Sequence, residues 1–225
     1  ATGATFQVDC IAGKFEPNGD AACANVAAGK VGRVTVTAAT NKGDSVHQTG
    51  AAFEVGCYVG TFRAANNDAS DCVDVAAGKV GRTTNAATTN LATSAHQTGA
   101  AFAVGCAKGT YRTANNDASD CAVVPAGSVG RVVNDANAVA NQVAAAFISP
   151  CTAGYYRDAA ASTALGDCVD IAAGKQGQLL DSGSVYAATG ATFQVDCVAG
   201  KFEPNGDAAC LTCVVGKYAV QGQII

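Results

Sequence analysis

Residues 193–218 read FQVDCVAGKFEPNGDAACLTCVVGKY, and the whole chain varies this stretch. Its skeleton is an aromatic, a cysteine four positions on, then C-x2-G-x-F, a polar turn, C-x2-C and G-x-Y. Working outward, cysteine pairs recur at Cys10 and Cys23, Cys57 and Cys72, Cys106 and Cys121, Cys151 and Cys168, and Cys197 and Cys210. The leading cysteines are 47, 49, 45 and 46 residues apart. A fixed period of this size marks a tandem array, in which each unit buries its apolar face on its neighbours. The repeats run 1–46, 47–95, 96–139, 140–186 and 187–225, the last incomplete.

Each repeat opens with apolar alternation into its first cysteine. Phe6, Val8 and Cys10 share one face, against Gln7 and Asp9. Phe53, Val55 and Cys57 repeat the pattern, as do Phe102, Val104 and Cys106, and Phe193, Val195 and Cys197. Period two predicts a half-buried strand. In the fourth repeat Ser149 takes the inward slot and Pro150 precedes the cysteine, which predicts a short or edge strand. An aromatic follows each first cysteine (Phe15, Phe62, Tyr111, Tyr156, Phe202), with a glycine before it.

A polar turn comes next. Asn18-Gly19-Asp20 and Asn205-Gly206-Asp207 predict type I′ hairpins, while Asn66-Asn67-Asp68 and Asn115-Asn116-Asp117 also tolerate a left-handed backbone. The second cysteine then returns opposite the first, predicting a hairpin stapled at its base. Val31 to Thr37 reads as a further strand. The Ala-rich Asn134 to Phe147 carries helical spacing at Ala136, Val139, Ala140, Val143 and Phe147.

Hydrophobic content is 49%, yet aromatics are only 6% and Trp and Met are absent, so a few large side chains are expected to anchor the core. Net charge is −4, and no basic run offers a nucleic-acid footprint. No apolar run is long enough for a membrane helix, and ATGATFQVD lacks the regions of a signal peptide. Any targeting or anchoring segment is therefore expected to be removed or to lie outside this chain. The Cys pairs have no His at ligand spacing. That predicts disulfides Cys10–Cys23, Cys57–Cys72, Cys106–Cys121, Cys151–Cys168 and Cys197–Cys210, and an oxidising, extracellular setting. Cys213 is the odd thiol, a candidate for an intermolecular link or an unpaired cysteine. Its equivalents Val26, Val75, Val124 and Ile171 mark the position as buried. The fold class expected is all-β, small and disulfide-rich: an elongated tandem array of short stapled β-hairpin modules.

The pattern C-x2-G-x-[FY]…C-x2-C-x2-G-x-[FY], tandem in an Ala/Thr/Asn/Gly-rich chain, resembles the immobilisation antigens of ciliates. The fuller signature lies at Cys197, Gly200, Phe202, Cys210, Cys213, Gly216 and Tyr218. In the other four repeats the third cysteine is Val or Ile. The resemblance implies a cell-surface coat protein held by a glycolipid (GPI) anchor, the anchor not being part of this chain.

Other motifs carry weaker chemistry. Asn66, Asp68 and Asp71, with Asn115, Asp117 and Asp120, offer oxygen ligands for Ca²⁺, but their spacing is not that of an EF-hand, and turn chemistry explains them. Gly29-Lys30-Val31-Gly32 and its copies at Gly78, Gly127 and Gly174 mimic a G-x-x-G clamp without a basic surround, and read as a turn before a strand. His47 and His96 occupy equivalent places in two repeats only, which argues against a catalytic base. Lys30, Lys79 and Lys175 with Arg33, Arg82 and Arg131 read as a solvated face. No N-x-[ST] acceptor exists, and the Thr-rich linkers (Thr83, Thr84, Thr88, Thr89) offer O-glycan sites by composition alone.

The expectation is a non-enzymatic extracellular structural protein, a stapled repeat rod, with no catalytic residues, metal or cofactor. Two alternatives stand beside it. One is a filament subunit assembling head to tail as a homo-oligomer. The other is a cysteine-rich ligand-binding receptor ectodomain.

Overall fold

A computed structural model describes residues 7–19, 21–64, 69–114, 118–136, 138–158, 166–179 and 185–221. Of the residues singled out above, Phe6, Asp20, Asn66, Asn67, Asp68, Asn115, Asn116 and Asp117 lie outside these. The described structure is all-β apart from 3-10 turns at Lys42–Asp44 and Leu91–Thr93. Eighteen strands form nine two-stranded antiparallel sheets among the described residues.

Two kinds of sheet alternate along the chain. Short ones pair the aromatic strand with the residues after the second cysteine, as in Lys14–Phe15 with Ala24–Asn25 and Thr61–Phe62 with Val73–Asp74. Longer ones cross from one repeat to the next. Lys30–Arg33 pairs with Phe53–Gly56, Lys79–Arg82 with Phe102–Gly105, Ser128–Arg131 with Phe147–Pro150, and Lys175–Gln178 with Phe193–Asp196. The Phe-x-Val strand therefore finds its partner in the preceding repeat. Val55 and Val104 are buried there, whereas Val8 is exposed.

The chain forms two compact units, 1–88 with 92–105 and 114–120, and 89–91 with 106–113 and 121–225. The first holds Cys10–Cys23 and Cys57–Cys72; the second holds Cys106–Cys121, Cys151–Cys168 and Cys197–Cys210. Each bridge closes 13 to 17 residues, worth about 3 kcal/mol in the chain-entropy model. The staple sits differently from the predicted place. Register puts Cys23 on the loop side of its short hairpin, because Lys14 faces Asn25 and Phe15 faces Ala24. The last four bridges thus tie the end of an incoming strand to the loop end of the next hairpin, whereas the described residues before Cys10 form no strand.

The cores are small. Val31 packs with Cys57 and Cys72 in the first unit. Val129 packs with Ala138, Cys151 and Cys168 in the second, with Tyr155 against them. No described aromatic is buried, so the expected aromatic anchors are replaced by cystine, Val, Ala and, unexpectedly, Arg.

Other expectations are corrected locally. The turns at Asn18-Gly19 and Asn205-Gly206 have positive φ at glycine only (74° and 84°), so they are not type I′. The Glu16 carboxylate organises the first by accepting the N–H groups of Asn18 and Gly19, and Glu203 serves Asn205 and Gly206 alike. The strand over 31–37 ends at Arg33, since the partner strand begins at Phe53 and the Val34 N–H goes to the Gln48 side chain. The fourth Phe strand, Phe147–Pro150, is an edge strand of its two-stranded sheet, as expected, and is four residues long like its equivalents. Its inward Ser149 is satisfied by donating to the Asp135 carbonyl at 2.6 Å. Asn134 to Phe147 forms no helix in its described residues. Arg131 holds Asp135, Asn141 accepts the Gly130 N–H, and Ala138 and Ala145 lie in bridges.

That segment carries a strain. Gly50, Gly99 and Gly190 occupy equivalent turns with φ of 67°, 70° and 69°, donating to the carbonyls of Cys10, Cys57 and Cys151. The fourth repeat puts Ala144 there, at φ 57°, donating to the Cys106 carbonyl. A left-handed alanine costs roughly 1–2 kcal/mol relative to the right-handed region. Ala144→Gly is expected to stabilise the oxidised protein by about 1 kcal/mol in denaturant unfolding.

Candidate functional site: the seam between repeats

The seam begins with a charge that the sequence reading passed over. The residue after the aromatic is Arg63, Arg112 or Arg157 in the middle repeats, and Glu16 or Glu203 in the outer ones. Among the described residues, Arg63 and Arg157 are the largest fully buried side chains. In the first unit, Arg63 Nη1 donates to the carbonyls of Val26, Ala27 and Lys30 at 3.3, 3.0 and 3.3 Å, and Nε to that of Ser70 at 2.8 Å. In the second, Arg157 Nη1 donates to Val124, Pro125 and Ser128 at 3.0, 2.8 and 3.1 Å, and Nε to Gly166 at 3.0 Å. A buried guanidinium needs such acceptors, because an uncompensated charge in the interior is expensive. Burial pushes the Arg157 guanidinium below its ordinary pKa, and Asp167 opposes the shift.

The backbone returns the contact. Gly29 N–H donates to Arg63 O at 2.7 Å, Gly127 to Arg157 O at 2.9 Å, and Gly174 to Glu203 O at 2.7 Å. Each of these glycines then accepts from the next first cysteine: Cys57, Cys151 and Cys197, each at 2.8 Å. At the last of these seams Glu203, itself buried, stands where the others use arginine. There Tyr186 donates to the Asp207 carbonyl at 2.9 Å, and burial, with help from Glu203 and Asp207, raises its phenol pKa.

This geometry assigns the G-x-x-G motif. A Cβ on Gly29 would lie 2.2 Å from the Gly99 carbonyl oxygen, and one on Gly127 2.2 Å from that of Gly190. The second glycine meets a buried alanine. Its Cβ would lie 3.0 Å from Ala51 Cβ at Gly32, 2.9 Å from Ala100 Cβ at Gly81, and 2.8 Å from Ala191 Cβ at Gly177. Both glycines serve close backbone packing.

The histidines belong to the same scaffold. His47 Nδ1 accepts the Gly32 N–H and His96 Nδ1 the Gly81 N–H, both at 2.9 Å. Asn141 Oδ1 does this for Gly130 at 2.7 Å. The backbone N–H groups of His47, His96 and Asn141 donate in turn to Asp71, Asp120 and Asp167, each at 2.7 Å. The acidic residues before the second cysteine are thus spent on backbone donors. Among the described residues no group of three or more His, Cys, Asp or Glu is placed to hold a metal ion.

Of the six basic residues read as a solvated face, four meet acids, and Arg82 donates to the Thr93 and Ala95 carbonyls. Lys30 pairs with Glu54 and Lys175 with Asp196, both at 2.9 Å, Arg131 with Asp135 at 2.6 Å, and Arg33 with Asp44 at 3.8 Å. Hydrogen bonds from Thr40 hold the Asp44 carboxyl below its usual range, and the bond from Arg131 does so for Asp135. Cys213 carries a free thiol and is half-buried, while its equivalents Val26, Val75, Val124 and Ile171 are buried. A scan against protein-family models and a search of curated proteins each give no match.

Two outcomes test the seam. Arg157→Lys keeps the charge but loses the planar fork, and should cost about 1–3 kcal/mol in denaturant unfolding of the oxidised chain, with Arg157→Ala costing more. His47→Asn should be nearly neutral, because Asn141 already fills this role. His47→Ala, which strands the Gly32 N–H, should cost about 1–3 kcal/mol.

Proposed function

We propose that this chain is a non-enzymatic structural protein of an extracellular surface coat, of the kind that the ciliate immobilisation antigens represent. One observation carries the reading: the charged and polar side chains repeated along the sequence are consumed in joining one repeat to the next. Arg63 and Arg157 are buried on carbonyls, His47 and His96 cap glycine N–H groups, and Asp71 and Asp120 hold backbone donors. A chain built this way invests its chemistry in persistence. Its five disulfides belong to an oxidising, non-cytosolic compartment. Among the described residues no helix is long and apolar enough to cross a membrane. Membrane attachment, in this reading, comes through a lipid anchor supplied outside these residues.

The coat reading makes mechanical demands. The protein must resist proteases while its disulfides are intact, and it must be extended enough to cover a surface. Antibodies to the chain should label intact, non-permeabilised source cells, and the purified protein should resist digestion until reduced. Small-angle scattering should give a radius of gyration well above the roughly 17 Å of a compact 225-residue chain. Labelling that appears only after permeabilisation would refute the surface assignment.

A further inference from the structure

The second glycine of each G-x-x-G strand gives its N–H to a side chain from the following loop, and that side chain changes along the chain. His47 Nδ1 accepts from Gly32 and His96 Nδ1 from Gly81, both at 2.9 Å, while Asn141 Oδ1 accepts from Gly130 at 2.7 Å. At the last such strand Tyr186 takes the place, since Ala187 donates to the Gly177 carbonyl as Gln48 does to that of Gly32. The Tyr186 hydroxyl goes to the Asp207 carbonyl instead. The chain holds two histidines, and both fall in the first compact unit, whereas Asn141 and Tyr186 fall in the second.

As acceptors, histidine and asparagine are equivalent; in acid they are not. An imidazole whose Nδ1 accepts is neutral, with its proton on Nε2. A second proton puts an N–H on Nδ1, facing the glycine N–H that it had accepted. Two donors then meet and the bond is lost. Nε2 of both rings is shielded from water, so the cation also forfeits hydration. Around His47 stand Lys14, the Arg33–Asp44 and Lys42–Asp74 pairs, and Asp71. Around His96 stand Arg82 and Asp120. The free carboxylates attract an imidazolium and the guanidiniums repel one, but neither relieves the two facing hydrogens.

We propose that the first unit carries an acid-sensitive switch: protonation of His47 and His96 opens the seams at Gly32 and Gly81, while the second unit stays closed. Proton linkage sets the sign. An open seam takes up a proton in the ordinary imidazole range, about 6.5, and a closed seam refuses it. Stability is therefore complete above that range and falls as pH drops through it and below. The amide of Asn141 gains no proton there. Asp167 holds the Asn141 N–H as Asp71 and Asp120 hold those of the histidines, so the effect of acid on these carboxylates is common to both units. The imidazoles alone distinguish the units. This switch does not depend on the surface-coat reading.

Amide hydrogen exchange of the full oxidised chain, followed by NMR and corrected for the intrinsic pH dependence of exchange, reads each seam separately. Between about pH 7.5 and about pH 5.5, protection at Gly32 and Gly81 should fall about tenfold, because roughly nine in ten open-seam imidazoles are charged at the lower value. Protection at Gly130 should hold. The double variant His47→Asn with His96→Asn should match the parent at neutral pH and lose the acid response. Protection at Gly32 and Gly81 that is unchanged or greater in acid overturns the proposal. So does an equal loss at Gly130, or a loss that survives in the double variant. The comparison of Gly32 with Gly130 in the parent chain decides by itself, whether or not the variant folds.

Discussion

A buried guanidinium bound by backbone carbonyls is the interaction on which each unit depends. Arg63 and Arg157 reach into the turn of the preceding repeat and satisfy three of its carbonyls from one nitrogen. The turn has no other way to bury those oxygens, and the arginine has no other way to be buried as a cation. Each side makes the other's burial tolerable. The result is a polar lock in a place where a larger domain would put aromatic side chains.

The lock works because little else occupies the seam. The repeat is too short to bury a self-sufficient core, and none of its described aromatics is fully buried. Glycine therefore stands where backbone meets backbone, and alanine where one methyl fills the gap. Gly29 against Gly99, and Gly32 against Ala51, leave no room for a further carbon. The disulfides reinforce the same place. The last four tie the end of an incoming strand to the loop end of the next hairpin, and Val31 packs against the Cys57–Cys72 cystine as Val129 does against Cys151–Cys168. The chemistry that elsewhere serves catalysis or metal binding is here turned inward on the backbone. Histidine and asparagine exchange freely at one position, because all that is required is an acceptor for a glycine N–H.

Seen this way, the variation among repeats is informative. The fourth repeat replaces an inward Val by Ser149 and satisfies it with Asp135. The same repeat replaces a left-handed glycine by Ala144 and accepts the strain. The outer repeats replace arginine by glutamate, which turns back to organise its own loop through Asn18 and Gly19, or Asn205 and Gly206. An arginine suits a seam that must grip carbonyls, whereas a glutamate leaves that grip to the backbone.

The period, the cysteine pairs, the all-β class and the turn-before-strand reading of G-x-x-G were legible in the chain itself. These features follow from local rules: glycine supplies positive φ, alternation makes strands, and spaced cysteines with no histidine partners close loops. The pairing of Lys30–Arg33 with Phe53–Gly56 was not legible, because register between repeats is a long-range choice that no local pattern encodes. Nor was the burial of Arg63, although an internal clue existed in the charge that follows every aromatic. Composition rules place arginine at the surface, and only the tertiary structure brought three carbonyls to one point where a cation could leave water. The sequence by itself determined which units repeat and which cysteines pair. The tertiary structure decided how one unit holds the next, since that depends on carbonyls and glycines brought together from distant parts of the chain.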